Sequence, residues 1–319
     1  MKVGLKLCAE ERSATDLVAD AVRAEEAGFD FAALSDHFHP WIDEQGESPF
    51  AWAVLGGIAT VTDRIEVGTG VTCPTIRIHP AIVAQAAATV ATMMPGRSFL
   101  GVGTGERLNE HVTGEHWPRP DVRRDMLREA VAAIRALWSG ELVTSRGEHC
   151  VVDGARLYSV PDDPPPVLVS ASGSESVALA AEIGDGLIGT APDADLLSTY
   201  RAEAGEGRVA YAEITVCWNE DPDEAMDTVL RRWPNVALPG SLNAELALPK
   251  HFEDATKLVR EDDLRPRVVV GPELGDYIRS VDAYGQAGYD GVWFHQVGED
   301  QEGFAAFAEK ELLPALRAS

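Results

Sequence analysis

A unit of strand, loop, helix and closing glycine recurs along this chain, and the repetition constrains the fold more than any other feature. Val3-Gly4-Leu5-Lys6-Leu7 reads as a short strand. Ser13, with Asp16 three residues on, has the pattern of a helix start. Leu17, Val18, Ala21, Val22 and Ala24 follow at helical spacing, and Gly28 falls where a helix end favours glycine. Phe29 to Ser35 is then nearly all apolar, as a parallel strand covered on both faces requires. The junction is repeated. Ala27-Gly28-Phe29-Asp30 is echoed by Ala287-Gly288-Tyr289-Asp290 and by Ile183-Gly184-Asp185-Gly186, each leading into an apolar run. Further strand candidates are Ile65–Val71, Phe99–Gly103, Val167–Ala171 and Tyr211–Trp218, and helical stretches over Ala81–Met94, Arg123–Trp138, Ser174–Ile183 and Gly275–Ala287 separate most of them. Eight strands, near residues 3, 31, 67, 100, 168, 187, 214 and 292, predict a (β/α)8 TIM barrel rather than an open doubly wound sheet.

No linker divides the chain, so one barrel domain over 1–319 is expected. Residues 141–166, with four prolines, predict a loop or small β excursion, and 219–270 a long insertion before the last helix and strand. Charge narrows the partners. Acids outnumber bases 52 to 27, a formal net charge of −25, which repels a phosphate backbone and excludes general nucleic-acid binding. Only five bases are lysine (Lys2, Lys6, Lys250, Lys257, Lys310), a balance that suits solubility in high salt, although an ordinary acidic enzyme would share it. Cys8, Cys73, Cys150 and Cys217 have no metal-site spacing and read as free thiols of a reducing cytoplasm. The N-terminus lacks the apolar core of a signal peptide, and Ala81–Met94 is too short to span a bilayer, so no membrane association is expected.

Barrel chemistry gathers at the C-terminal ends of strands, and there this chain concentrates polar and glycine residues. The second strand is followed by Ser35-Asp36-His37-Phe38-His39-Pro40-Trp41, the third by Gly70-Val71-Thr72-Cys73, and the fourth runs into Gly101-Val102-Gly103-Thr104-Gly105-Glu106-Arg107-Leu108-Asn109-Glu110. Asp36-His37 alone could be a turn and cap. His37-Phe38-His39 could open a barrel metallohydrolase site, but that site also wants histidines after the fifth and sixth strands, where Ser172-Gly173 and Thr190-Ala191 stand, so no metal is expected. Gly101–Gly105 lacks the third glycine and later acid of a dinucleotide fingerprint. Ser170 to Ser174 opens a helix and suits either a serine cap or an anion site.

Taken in order, Ser35-Asp36-His37-Phe38 with Pro40-Trp41, Phe99 to Glu106 with Leu108-Asn109-Glu110, Leu137-Trp138-Ser139-Gly140 and Val292-Trp293-Phe294-His295 resemble the F420-dependent glucose-6-phosphate dehydrogenase group of the luciferase-like barrels, over essentially the whole chain. The resemblance implies coenzyme F420 over the barrel mouth, a small-molecule substrate and a homodimer. It implies a non-proline cis bulge at Gly70-Val71, with cofactor contacts at Asp36, Gly105, Asn109 and the Ser172-Gly173 turn. It implies His37 as base on a substrate hydroxyl, Glu106 as acid beside the deazaflavin, the two roles being exchangeable, and Trp41 as a substrate wall. His39 stands where the group has a small residue and is a candidate substrate contact, as is Arg265 for a substrate phosphate. Asp193 departs from the group's pattern, falling where a lysine would hold that phosphate. Hydride transfer from a sugar 6-phosphate such as glucose 6-phosphate is therefore expected first, with a non-phosphorylated alcohol, an FMN-dependent monooxygenase and a metallohydrolase behind it.

Overall fold

In a computed structural model, which describes residues 1–205 and 207–318, eight parallel strands close into a barrel. Positions 206 and 319, within the expected 1–319 span, lie outside the described residues. The barrel strands are β1 (Lys2–Leu7), β2 (Phe31–Leu34), β3 (Glu66–Thr69), β4 (Ser98–Val102), β5 (Val167–Ser170), β6 (Gly186–Gly189), β7 (Val209–Cys217) and β8 (Gly291–Gln296). Each pairs with its neighbours in sequence, and β8 pairs with β1, Val292 opposite Val3, to close the ring. The surrounding helices are α1 (Ala14–Ala27), α2 (Ala51–Ala59), α3 (Pro80–Met93), α4 (Pro120–Trp138), α5 (Ser174–Ile183), α6 (Ala194–Ala204), α7 (Leu274–Ala287) and α8 (Gln301–Phe307).

The repeated glycine–aspartate junction has a physical cause. Gly28 and Gly288 end α1 and α7 in the left-handed region, at φ 93° and 99°, where a Cβ is disfavoured. The following aspartate then secures the start of the strand before it. Asp30 accepts from the Val3 N–H at 2.8 Å, Asp185 from Val167 at 2.9 Å and Asp290 from Ala210 at 2.7 Å. Three otherwise unpaired strand-end donors are thereby satisfied. Ser13 caps α1 as its spacing predicts, accepting from the Asp16 N–H.

Apolar side chains fill the barrel interior. Phe31 stacks on Tyr211 with ring centres 4.9 Å apart and meets Trp293 edge-on at 6.0 Å, with Ala33, Phe99, Leu168 and Ile188 completing the plug. A larger apolar layer lies between strands and helices. A third cluster, with Trp41, Ile42, Leu108, Trp233 and Phe252, lies beneath the insertion.

The two insertions differ. Residues 141–166 hold an antiparallel hairpin, Val143–Arg146 with Val151–Ala155, whose turn is anchored by Glu129 accepting from the N–H groups of Glu148, His149 and Cys150. The 219–270 segment is largely helical, with helices over Pro222–Arg232, Gly240–Glu245, Pro249–Thr256 and Glu261–Leu264. The Val268–Val270 run ends it as a two-residue strand, Val269–Val270, added to β7. All four cysteines are free and buried. No helix among the described residues is long and apolar enough to cross a membrane.

Candidate active site

Above the aromatic plug, the barrel floor turns ionic. Lys6 of β1 donates to Glu213 Oε2 of β7 at 2.9 Å, and Trp293 Nε1 donates to the same oxygen at 2.9 Å. The ammonium and carboxylate stabilise each other's charge, so Glu213 lies far below the ordinary carboxylate range and Lys6 above the ordinary lysine value, in both cases against the opposing effect of burial. His295 Nδ1 lies 3.5 Å from Glu213 Oε1. Over this floor opens a cavity of about 930 Å³, within the size range of small-molecule sites. The ends of the barrel strands line it, and the 219–270 insertion covers one side through Trp233, Asn235 and Asn243.

His37, just past β2, occupies the cavity wall. Its Nε2 is 3.4 Å from Glu10 Oε1 and 3.5 Å from Glu106 Oε2. Its Nδ1 lies 3.1 Å from the His39 carbonyl, so Nδ1 carries a proton donated to that oxygen, and Nε2 is the nitrogen that faces the two carboxylates. The carboxylates are unlike. Burial pushes Glu10 up, but His37, Lys6 and a 2.5 Å bond from Ser35 Oγ outweigh it and hold Glu10 near about 2. Burial raises Glu106 with less opposition from His37, so Glu106 takes a proton more readily. The Trp41 ring stands 5.0 Å from the His37 ring and is braced edge-on by Phe252 of the insertion at 5.1 Å.

Asp36, next to His37, is fully engaged. Arg77 Nη2 donates to its Oδ1 at 2.8 Å and Thr72 to its Oδ2 at 2.7 Å. Arg77 also donates its backbone N–H to Glu110 at 2.7 Å; burial pushes Glu110 up to about 7 despite that bond. Asn109 joins two rim loops. Its Oδ1 accepts from the Phe38 and His39 N–H groups at 2.9 and 3.3 Å, and its Nδ2 donates to Glu106 at 3.2 Å. Gly105 has φ +81°, and a Cβ there would lie 2.6 Å from Cys73 Sγ, so only glycine lets this loop pass. The Gly70–Val71 peptide is cis, and both residues line the cavity.

His37, Glu106, Trp41, Asp36, Gly70, Val71, Gly105, Asn109, Ser172 and Arg265 all line one cavity, whereas His39, Gly173 and Asp193 are not among its lining residues. The Nδ1 of His39 bonds the Leu108 carbonyl at 3.0 Å and its ring stacks on His111, so it serves the loop and does not pair with His37 around one point. Gly173 is also outside the lining, and the N–H groups of Ser172 and Gly173 already donate to Ser176 Oγ at 3.2 and 3.1 Å. Asp193 faces no phosphate pocket, because it is the N-cap of α6, accepting from the Leu196 N–H at 2.9 Å. Sequence reading missed Lys6, Glu10, Glu213, Ser176, Arg124 and Arg267, all of which line the cavity. Lys6 and Glu213 look like ordinary strand positions until the barrel closes and turns both inward.

Fold and relatives define a (β/α)8-barrel enzyme, with a cluster of titratable side chains lining a cavity at the C-terminal rim. The chain belongs to the luciferase-like monooxygenase family, whose model it matches over residues 1–291. It is 36% identical, over 100% of its own length and 98% of the relative's, to an F420-dependent glucose-6-phosphate dehydrogenase of Rhodococcus erythropolis. It is 36% identical over 99% of its length and 98% of the relative's to a protein of the same name from Mycobacterium avium. Among solved structures, an F420-dependent secondary alcohol dehydrogenase in complex with an F420-acetone adduct superposes with a TM-score of 0.91 at 32% identity, covering 99% of each chain.

Proposed function

We propose that this chain is an F420-dependent dehydrogenase that oxidises a hydroxyl-bearing carbon, with a sugar 6-phosphate such as glucose 6-phosphate as the first candidate substrate. The observation that carries the reading is His37 Nε2, held between a strongly ionised Glu10 and a readily protonated Glu106 at the wall of a large cavity. The names of the full-length relatives supply the cofactor and substrate class.

The residues present fit a deazaflavin. The rim segments Gly70–Val71 and Gly103–Gly105 offer backbone with little side chain in the way, as a flat ring system needs. Arg124 and the Ser172 side chain, both lining the cavity beside the start of α5, would hold its phosphate. Asp36 and Asn109 would support the ring from the rim, each already fixed by its own hydrogen bonds. Coenzyme F420, when bound, supplies a two-electron acceptor at C5 of the deazaflavin.

His37 Nε2 takes the substrate hydroxyl proton, and Glu10 stabilises the imidazolium that results. Glu106 keeps a proton at its carboxyl beside the cofactor, with Asn109 orienting that carboxyl. Trp41 confines the substrate against His37. Arg265 and Arg267 would meet a substrate phosphate. The capping role of Asp193 supports the sugar-phosphate reading, because that carboxylate is directed to a helix end. The superposed secondary alcohol dehydrogenase supports a second reading, oxidation of a non-phosphorylated alcohol.

The reading is completed by one barrel domain acting as a homodimer, as the family resemblance implies, in the cytoplasm of a salt-adapted cell, the salt adaptation alone being supported by the −25 charge and five lysines. A substrate panel monitored by loss of F420 absorbance, at low and high potassium chloride, tests it. Turnover with glucose 6-phosphate is the expected result. Absence of turnover in either salt, with bound FMN and oxygen consumption instead, would replace it with the monooxygenase reading.

A further inference from the structure

Eleven buried polar side-chain atoms lack a hydrogen-bond partner among the described residues, and five of them belong to residues that line the cavity. Glu10 Oε1 is one and faces His37. The other four are Trp233 Nε1, Asn235 Oδ1, Asn243 Oδ1 and His295 Nε2, three from the insertion and one from β8. Trp233 and His295 meet edge-to-face with ring centres 4.4 Å apart, and Asn235 lies two residues beyond Trp233. Trp233, Asn235 and His295 are each more than nine-tenths buried. Folding takes such atoms out of water and needs a partner for them.

Their chemistry selects that partner. The Trp233 indole only donates. Asn235 and Asn243 have unpartnered acceptors, and His295, with Nδ1 beside Glu213, leaves Nε2 without a partner among the described residues. A phosphate or a carbonyl accepts only and would satisfy the indole but none of the acceptors. A simple alcohol has one hydroxyl, and the dehydrogenase reading places it at His37. Hydroxyl groups elsewhere on the substrate, each both donor and acceptor, match the set.

We propose that Trp233, Asn235 and His295 form a wall that reads hydroxyl groups of the substrate away from the reacting carbon, selecting a polyhydroxylated substrate over a simple alcohol. This rests on the dehydrogenase function proposed above. The wall acts in recognition, with no part in proton transfer. The phosphate of a sugar phosphate is left to the arginines, since the acceptors of this wall would repel it.

The test compares wild type with Trp233→Phe, which keeps the ring over His295 and removes only the donor, and Asn235→Leu, which keeps the volume. The kcat/KM for glucose 6-phosphate, its 2-deoxy analogue and 2-propanol is measured by F420 reduction, and glucose 6-phosphate binding to the cofactor-free protein by calorimetry. Each variant should lose about 10- to 100-fold with the sugar, mainly in KM, and less than 3-fold with 2-propanol, and calorimetric affinity should fall by a similar factor. Equal losses with both substrates, or no loss with the sugar because water serves these atoms, overturn the wall. Wild type that oxidises 2-propanol but neither binds nor oxidises the sugar also overturns it and leaves the F420 function standing. Wild type that binds the sugar, with affinity that falls in both variants, but reduces F420 with no substrate supports the wall and overturns the dehydrogenase function.

Discussion

Asp36 and His37 leave β2 side by side, yet their side chains end in environments of opposite kind. Both Asp36 oxygens are bonded, to Arg77 at 2.8 Å and Thr72 at 2.7 Å, so the carboxylate has little left to offer a ligand. His37 Nε2 stands 3.4 and 3.5 Å from two carboxylates, longer than charge-assisted hydrogen bonds usually are, and it lines the cavity. A milder form of the same division separates Glu110, held at 2.7 Å by the Arg77 N–H, from Glu106, four residues earlier, whose bond from Asn109 is 3.2 Å long and whose other near partner is His37, although both line the cavity. Titratable residues of similar type can therefore build a rim or work at it, and saturation of their hydrogen bonds distinguishes the two.

Removing the unsaturated member tests the contrast most severely. His37→Ala should lower kcat about 10²- to 10⁴-fold in F420 reduction while leaving the urea midpoint nearly unchanged; a loss under tenfold would erase the distinction from Asp36. Arg77→Met should do the reverse. It strands Asp36 as a buried, uncompensated carboxylate and should cost about 3–5 kcal/mol of unfolding free energy in urea titration. A cost below about 1 kcal/mol would show that the Asp36 network is not structural.

Glu110 gives the pH test on the saturated side. Its folded pKa is raised to about 7 from an ordinary 4.5, so its stabilising contribution is complete below pH 4.5 and is lost as pH rises through about 7. Wild-type stability should fall by on the order of 2 kcal/mol between pH 5 and 8, and Glu110→Gln should flatten that slope. An unchanged slope in the variant would count against it. The smallest effect is expected at Glu106, where Glu106→Gln keeps the hydrogen bond with Asn109 but not the proton. It should lower kcat about tenfold and remove the alkaline limb of the rate profile, since the wild-type group acts as an acid; a profile identical in shape would exclude that role.

Much of the barrel was legible because its signals are local. Gly28 and Gly288 mark helix ends, their aspartates mark strand starts, and apolar runs mark strands covered on both faces. That His37, Glu106 and Trp41 share one cavity was legible because strand ends converge in this fold. Glu10, Lys6 and Glu213 were not, since what distinguishes them is contact across the barrel between residues up to 207 positions apart. His39, expected as a substrate contact, and Asp193, noted as a departure from the family's lysine, have local partners that a linear reading does not show. A carbonyl of another rim loop engages the first, and the N-terminus of α6 the second. The wall of Trp233 and Asn235 lies in a segment whose short helices carry too few turns to show a period.

The placement of lysine has a practical consequence. Of the five, Lys6 is only partly exposed, on the cavity floor with its ammonium committed to Glu213, while Lys2, Lys250, Lys257 and Lys310 are exposed and none of them lines the cavity. Amine-directed coupling to a resin or a dye would thus have only those four side chains and the N-terminus to react with, and would leave the mouth of the barrel unmodified.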